Sequence, residues 1–80
     1  MPRQRVLSSA DVIKILESFG FEVIGQKGSH IKLSRQTVLQ KQILTVPRNK
    51  EFSKGMLKAI YNQASRFVSQ EELQKFFYQE

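Results

Sequence analysis

One histidine and the residues around it supply the side chains that chemistry would require. His30 directly follows Gly28 and Ser29, and Lys27 and Lys32 lie on either side of this tripeptide. Imidazole exchanges protons near neutral pH, while lysines and backbone N–H groups stabilise the charge of a phosphate. The segment therefore has the groups needed for acid–base chemistry on a phosphate ester.

RNA cleavage is the reaction that suits so small a set of groups. RNA carries its own nucleophile, the 2′-hydroxyl, so the protein needs only to move protons and to stabilise charge. Gly28 would allow the backbone to approach a phosphate closely, and the Ser29 hydroxyl could position it. The pattern alone leaves open a plainer alternative, in which His30 is a solvated surface residue without a catalytic role.

Composition argues against most other kinds of active site. The chain has no cysteine and one histidine, so it lacks both a thiol nucleophile and the ligands of a typical zinc site. Gly25 and Gly28 do not have the spacing of a phosphate-binding loop or a dinucleotide fingerprint. We therefore expect neither a metal nor a cofactor.

Charge is the second guide to function. Lysine and arginine number 13 against 7 acidic residues, which gives a formal net charge of +6 on 80 residues. Such an excess attracts polyanions such as nucleic acids, although a merely solvated surface would look the same. The basic N-terminal segment does not lead into a long apolar run, so we expect no secretory signal, no membrane partner and a cytoplasmic location.

Capping and periodicity predict the first element that must position this histidine. Ser8 and Asp11 have the spacing of a capping box, and Gly20 can supply the left-handed residue that ends a helix. We therefore predict a helix from about Ala10 to Phe19. One apolar stripe runs along it, formed by Val12, Ile15, Leu16 and Phe19.

A strand and a turn are predicted next. Alternation around Phe21 and Val23 indicates a strand that begins directly after the helix. Gly25 and Gly28 enclose residues 26–27, which predicts a turn at that point.

The strand that carries the histidine has the clearest pattern. Residues 29–34 alternate between apolar and polar with a period of two. If Ile31 and Leu33 face the core, His30 and Lys32 must face solvent. The sequence therefore predicts that the imidazole is accessible.

The third extended segment has a less certain register. A connection is predicted at residues 35–37, where Arg35 is a further candidate cation near the histidine, and residues 38–46 form a strand that Pro47 ends. Its apolar residues occupy both parities, with Val38, Leu44 and Val46 on one and Leu39 and Ile43 on the other. A bulge, or a strand that is apolar on both faces, would reconcile them.

Two further helices complete the order of elements. Ser53 can cap a helix whose buried stripe would be Leu57, Ile60, Tyr61 and Ala64. Ser69 can cap a short last helix with Leu73, Phe76 and Phe77 on one face. Because short connections make neighbouring strands antiparallel, we predict an α+β fold in which helices cover one face of a three-stranded antiparallel sheet. We expect a single domain over residues 1–80.

Around Gly28-Ser29-His30 the sequence resembles the HicA family of bacterial toxins, which are small ribonucleases of toxin–antitoxin pairs. The resemblance extends from about Ser8 to Leu73. It is carried by the order and spacing of short segments, which are Val12-Ile13-Lys14-Ile15-Leu16, Gly20-Phe21-Glu22-Val23, Gln26-Lys27-Gly28-Ser29-His30, Thr45-Val46-Pro47 and Gln63-Ala64.

The resemblance implies a fold like that of the double-stranded RNA-binding domain, in agreement with the order of elements read from the residues. It also implies metal-independent cleavage of messenger RNA, with His30 as the catalytic residue. A HicB-like antitoxin would cover the active face. Operator DNA binding belongs to such antitoxins, so we expect none from this chain directly.

The chain departs from the family pattern after the Val-Pro pair. Members often carry a second histidine there, whereas this chain has Arg48 and Asn49. The role of that second imidazole cannot be carried over. Lys27, Lys32 or the RNA itself are the candidates for the other half of the proton transfer.

The leading prediction is therefore a messenger RNA endonuclease toxin. His30 would transfer the proton, Gly28 and Ser29 would seat the scissile phosphate, and Lys27 and Lys32 would stabilise its charge.

Two rivals remain open at this point. One is a non-catalytic module for double-stranded RNA that uses Lys50, Lys54 and Lys58, spaced four apart, on phosphates. The other is an interaction domain whose basic face serves only an acidic partner.

Overall fold

A computed structural model describes residues 3–79 of the chain, and the side chains of residues 3–78. Three helices and five strands follow one another along this part of the chain. In order they are β1 (Arg3–Gln4), α1 (Ser9–Ser18), β2 (Glu22–Lys27), β3 (His30–Gln36), β4 (Lys41–Pro47), α2 (Lys54–Ala64), α3 (Gln70–Phe77) and β5 (Tyr78–Gln79). None of the helices in residues 3–79 has the length and apolar character that crossing a membrane would need.

The three long strands form an antiparallel sheet with β3 in the centre and β2 and β4 on its two sides. Ile31 pairs with Val46, and Leu33 pairs with Leu44, so four apolar side chains point to the same face. All four are buried, while the residues that alternate with them along β3 and β4 are more exposed. The predicted α+β fold, with the helices on one face of the sheet, is confirmed.

Helix α1 starts and stops where its capping residues predict, within one residue. The Asp11 backbone N–H donates to Ser8 Oγ at 3.1 Å, and the Ser8 backbone N–H donates to an Asp11 carboxylate oxygen at 2.9 Å. Hydrogen bonds from the backbone and hydroxyl of Ser8 lower the pKa of the Asp11 carboxyl below its usual value. At the other end Gly20 has a φ of +96°, the left-handed conformation expected after a helix.

The later helices also begin at their predicted caps. Ser53 Oγ accepts from Met56 N, and Ser69 Oγ accepts from Glu72 N, each at 3.2 Å. The predicted stripe of α2 is buried throughout. On α3 the prediction is confirmed in part. Leu73 and Phe77 are buried, whereas Phe76 is partly exposed and forms a T-shaped contact with the ring of Phe19.

One hydrophobic core joins the helices to the sheet. Its most completely buried large side chains are Leu16, Phe21, Leu33, Leu57, Leu73 and Phe77. Gln63 of α2 fixes the outer edge of the sheet, because its side-chain oxygen accepts from Thr45 N at 2.9 Å and its side-chain nitrogen donates to Thr45 O at 3.4 Å. This pairing protects the free edge of β4 and holds Thr45 in place.

The connection between β3 and β4 differs from the prediction. β3 continues to Gln36, and residues 38–39 lie at the tip of a loop instead of in β4. The cause is Thr37, whose hydroxyl accepts from Gln40 N at 3.1 Å and whose backbone N–H donates to Gln40 O at 2.9 Å. Val38 and Leu39 are therefore fully exposed, at 103% and 93%.

The loop also removes the ambiguity in the register of β4. With Val38 and Leu39 outside the strand, the β3–β4 pairing runs without a register shift. Ile43 is the remaining apolar residue of the other parity, and it lies partly exposed on the side of the sheet away from the core. No bulge in β4 is needed.

A second sheet was not predicted. β1 and β5 pair as a two-residue antiparallel ribbon, in which Arg3 lies opposite Gln79 and Gln4 opposite Tyr78. Such short strands have no periodicity to read, and their pairing depends on the two ends of the chain meeting.

Candidate functional site

The turn before His30 is a two-residue hairpin formed by Gly28 and Ser29. Lys27 and His30 are the last paired residues of β2 and β3 on either side of it. Gly28 has a φ of +59°, as the first central residue of a type II′ turn requires. A Cβ at this position would meet nothing within 4 Å, so glycine is needed for the backbone conformation and not for space.

This turn lies two residues later than predicted. β2 runs on to Lys27, so residues 26–27 belong to the strand. Gly25 lies where the β2–β3 register shifts, with Ile24 as the unpaired residue. A glycine at a strand bulge and a glycine at a turn look alike in the sequence, which explains the error.

Strand register places cations around the imidazole. Lys27 of β2 and Pro47 of β4 lie directly across from His30, so their side chains share its face of the sheet. Lys32 lies two residues further along β3 on the same face. We call this surface, with His30, Lys27 and Lys32 at its centre, the open face.

The predicted direction of the β3 side chains is confirmed. Ile31 and Leu33 are 9% and 0% exposed, whereas His30 and Lys32 are exposed. Within residues 3–79 the one ion pair joins Lys75 to Glu72 at 4.0 Å. The basic side chains of the open face are therefore not neutralised by carboxylates of the described chain.

All five predicted site residues line one shallow concavity of about 880 Å³. Sequence reasoning did not assign four further residues to the site, although they also line it: Ile24, Gly25, Gln26 and Thr45. Gly25 and Thr45 lie on either side of Lys32 in the register. They come from two other strands, so only the strand pairing could have identified them.

Arg35 does not belong to this group of cations, and its prediction as a further cation near the histidine is wrong. Its guanidinium donates to Gln42 Oε1 at 2.8 Å, to Phe19 O at 2.8 Å and to Phe67 O at 2.9 Å. It also lies over the ring of Phe21, at 4.7 Å from the centroid. The same parity that exposes His30 turns Arg35 toward the core face, so the arginine ties the sheet to the helices.

The three lysines spaced four apart do not form one surface. Lys54 and Lys58 line a concavity on α2 together with Arg3. Lys50 precedes the Ser53 cap and lines a different groove, beside Ser29.

Within the described residues, no three His, Cys, Asp or Glu side chains lie together as a metal-binding group would require. The absence of a metal and of a cofactor stays a prediction from the composition.

Comparison with known proteins finds a family match that covers more than half of the chain. Residues 9–65 match the model of a family described as "HicA toxin of bacterial toxin-antitoxin". This range includes α1, the three-stranded sheet and α2. No curated protein and no solved structure matches the chain.

Proposed function

Because the chain belongs to the HicA family and is thus a toxin of a toxin–antitoxin system, we propose that it is a metal-independent endoribonuclease that cleaves messenger RNA. His30 is the proton-transfer group. Gly28 and Ser29 seat the scissile phosphate, and Lys27 and Lys32 stabilise its charge.

The observation that carries the proposal is the combination of accessibility and register at His30. The imidazole is exposed at the start of the central strand, directly after the two-residue turn. One lysine lies across from it and another lies two residues along the same face. A strand of RNA can therefore reach the imidazole and both cations at once.

The reaction needs no nucleophile from the protein. The neutral imidazole of His30 takes the proton of the 2′-hydroxyl, and the 2′-oxygen attacks the adjacent phosphorus. The bond from phosphorus to the 5′-oxygen breaks, which leaves a 2′,3′-cyclic phosphate and, once that oxygen is protonated, a 5′-hydroxyl. The two lysines stabilise the extra charge on the phosphate oxygens as the bonds change.

Protonation of the leaving oxygen requires a second group, since the chain has one histidine. Among the candidates, the register favours Lys27, which is the direct cross-strand neighbour of His30. Its ammonium group can donate a proton on the side of the imidazole opposite to β4.

The partner we propose is a HicB-like antitoxin that covers the open face. Such a partner would block the approach of RNA to His30, and acidic groups on it would pair with Lys27 and Lys32. Both proteins would act in the cytoplasm, and we assign operator binding to the antitoxin alone.

A second candidate function is supported by the separate surface on α2. Lys54, Lys58 and Arg3 line one concavity there, away from His30. Three cations on one surface could bind the phosphates of a double-stranded RNA without any cleavage.

The nature of the nucleophile tests the main proposal. Purified protein is incubated with a messenger RNA in the presence of a chelator, and the cleavage sites are mapped. The same RNA is then prepared with a 2′-deoxynucleotide on the 5′ side of one mapped site. We expect cleavage in chelator, products with cyclic phosphate ends, and loss of cleavage at the substituted site alone. Cleavage that persists there, or that needs a metal, would refute the mechanism; duplex binding without products would favour the second function.

A further inference from the structure

A groove adjoins the open face at Ser29 and continues it beyond the turn. It has a volume of about 630 Å³, and Ser8, Ser29, Arg48 and Lys50 are among the residues that line it. Ser29 lines both this groove and the concavity around His30. The two surfaces therefore meet at the residue that precedes the histidine.

The segment after β4 is held firmly in this groove. Arg48 N donates a hydrogen bond to Ser29 O, which joins the segment to the turn. Asn49 O accepts from both Ser9 N and Ser9 Oγ, at 2.9 Å and 3.0 Å, and Asn49 N donates to Ser9 Oγ at 3.2 Å. Phe52 N donates to Leu7 O at 2.9 Å. These bonds fix the backbone on both sides of Lys50.

The two cations on this fixed backbone are exposed. Arg48 and Lys50 reach solvent, and neither forms an ion pair with a carboxylate of residues 3–78. Because the backbone that carries them is fixed, these cations lose less conformational freedom when they bind phosphate than cations on a mobile loop would.

The start of α1, which forms the far wall of the groove, is not the source of the attraction. Its free N–H groups are partly satisfied by the Ser8 hydroxyl, and the Asp11 carboxylate lies on the same turn. That negative charge opposes an anion, so the groove's attraction for an anion must come from the charges of Arg48 and Lys50.

We propose that Arg48 and Lys50 bind RNA phosphates on the far side of Ser29 from Lys27, so that the strand crosses His30 between two cationic sites. The inference rests on the proposed function and extends it from the scissile phosphate to its neighbours. Adjacent strands lie about 4.8 Å apart, so Lys27 on β2 and the end of β4 are separated by roughly 10 Å. His30 on β3 lies between them.

The salt dependence of RNA binding tests this inference. The probe is a single-stranded RNA that carries 2′-O-methyl groups throughout, which blocks the nucleophile and prevents cleavage. Each phosphate contact contributes about 0.7 to the slope of log affinity against log salt for a single strand. The double variant Arg48→Gln with Lys50→Gln should therefore lower the slope by about 1.4.

The matched control is the double variant Lys54→Gln with Lys58→Gln, which removes the same charge from the other surface. We expect its slope to stay near that of the wild-type protein. Between about 50 and 200 mM salt, the wild type should lose about sevenfold more affinity than the Arg48 and Lys50 variant. Equal losses in the two double variants, or an unchanged slope in the first, would overturn the proposal.

Two further measurements keep the outcome decisive. If circular dichroism shows that the double variant is unfolded, the single variants Arg48→Gln and Lys50→Gln replace it. Each of them should lower the slope by about 0.7. With a cleavable RNA, the variant should raise KM and leave kcat near its wild-type value, since the contacts lie away from the reacting atoms.

If the wild type cleaves RNA but the slopes do not differ, this inference alone fails. If it does not cleave RNA, the proposed function fails while the slopes still test the groove.

Discussion

The two ends of strand β3 carry basic side chains on opposite faces of the sheet, one exposed to solvent and the other bonded to the protein. At its start His30 is exposed on the open face, beside Lys27 and Lys32. Near its end Arg35 faces the core side, where it donates to two backbone carbonyls and one amide oxygen and lies over an aromatic ring. The hydrogen-bonding capacity of the arginine is used by the fold, whereas the imidazole is available to a ligand.

The difference shows that residue type does not decide the role of a basic residue here. Parity along the strand decides it, because an odd or an even position determines which face a side chain occupies. A cation on the core side must satisfy its donors within the protein, since a buried group without partners is costly. A cation on the open face keeps its donors for phosphate.

The largest effect on stability is expected at Arg35, near the end of β3. Arg35→Met should lower the free energy of unfolding by roughly 3 kcal/mol, because it removes three charge-assisted hydrogen bonds and leaves their partly buried acceptors unpaired. Lys32→Met removes the same charge from the open face of the same strand and should cost less than about 0.5 kcal/mol. Urea unfolding of both variants measures the difference, and similar small losses would contradict the structural role of Arg35.

The turn before the histidine gives a smaller effect. Gly28→Ala places a Cβ on a residue with φ of +59° and should cost about 1 kcal/mol of stability. Gly25→Ala is the matched control, since its φ is not positive and its added Cβ would meet nothing within 4 Å. Thermal unfolding compares the two variants. Equal stability of the two variants would mean that the positive φ at Gly28 does not constrain the turn.

Some of these structural features could be predicted from the sequence alone, and others could not. Alternation from Ile31 to Leu33 was enough to predict the exposure of His30, and local spacing was enough to predict the Ser8 and Ser53 caps. The same alternation, carried one step further to Arg35, would have placed that residue on the core side. The connection predicted at residues 35–37 takes Arg35 out of the strand and so hides this orientation.

The remaining errors have a common physical origin. Whether Gly25 or Gly28 makes the turn depends on pairing between two strands. Likewise, the loop at Val38 is set by the hydrogen bonds of Thr37 with Gln40, and not by strand propensity. The contribution of Thr45 to the open face and the groove at Arg48 depend on residues distant in the sequence. Local sequence patterns do not predict contacts between residues that are distant in the sequence.

The smallest expected effect lies at the cap of α1, far from both ends of β3. The pKa of the Asp11 carboxyl is lowered in the folded protein by the hydrogen bonds of Ser8, while in the unfolded chain it stays near its ordinary value of 3.8. The ionised carboxylate therefore stabilises the fold above that pH, and this contribution is lost as the pH falls through the lowered folded pKa. Asp11→Asn removes it at every pH.

The free energies of unfolding of the wild type and of Asp11→Asn, measured from neutral to strongly acidic pH, test this contribution. The difference between the two proteins should be constant near neutral pH and should shrink below the ordinary carboxyl pKa. A difference that does not change with pH would show that the charge of Asp11 makes no contribution. RNA cleavage at neutral pH should be unaffected, since the residue takes no part in the proposed chemistry.

The most direct test of the central claim measures activity and stability together in His30→Gln. Glutamine keeps a polar side chain at an exposed position but cannot act as a general base. We predict that the rate of RNA cleavage falls by at least about 100-fold, while the free energy of unfolding stays within about 0.5 kcal/mol of the wild-type value. A folded His30→Gln protein that cleaves RNA at the wild-type rate would contradict the assignment of His30 as the catalytic residue.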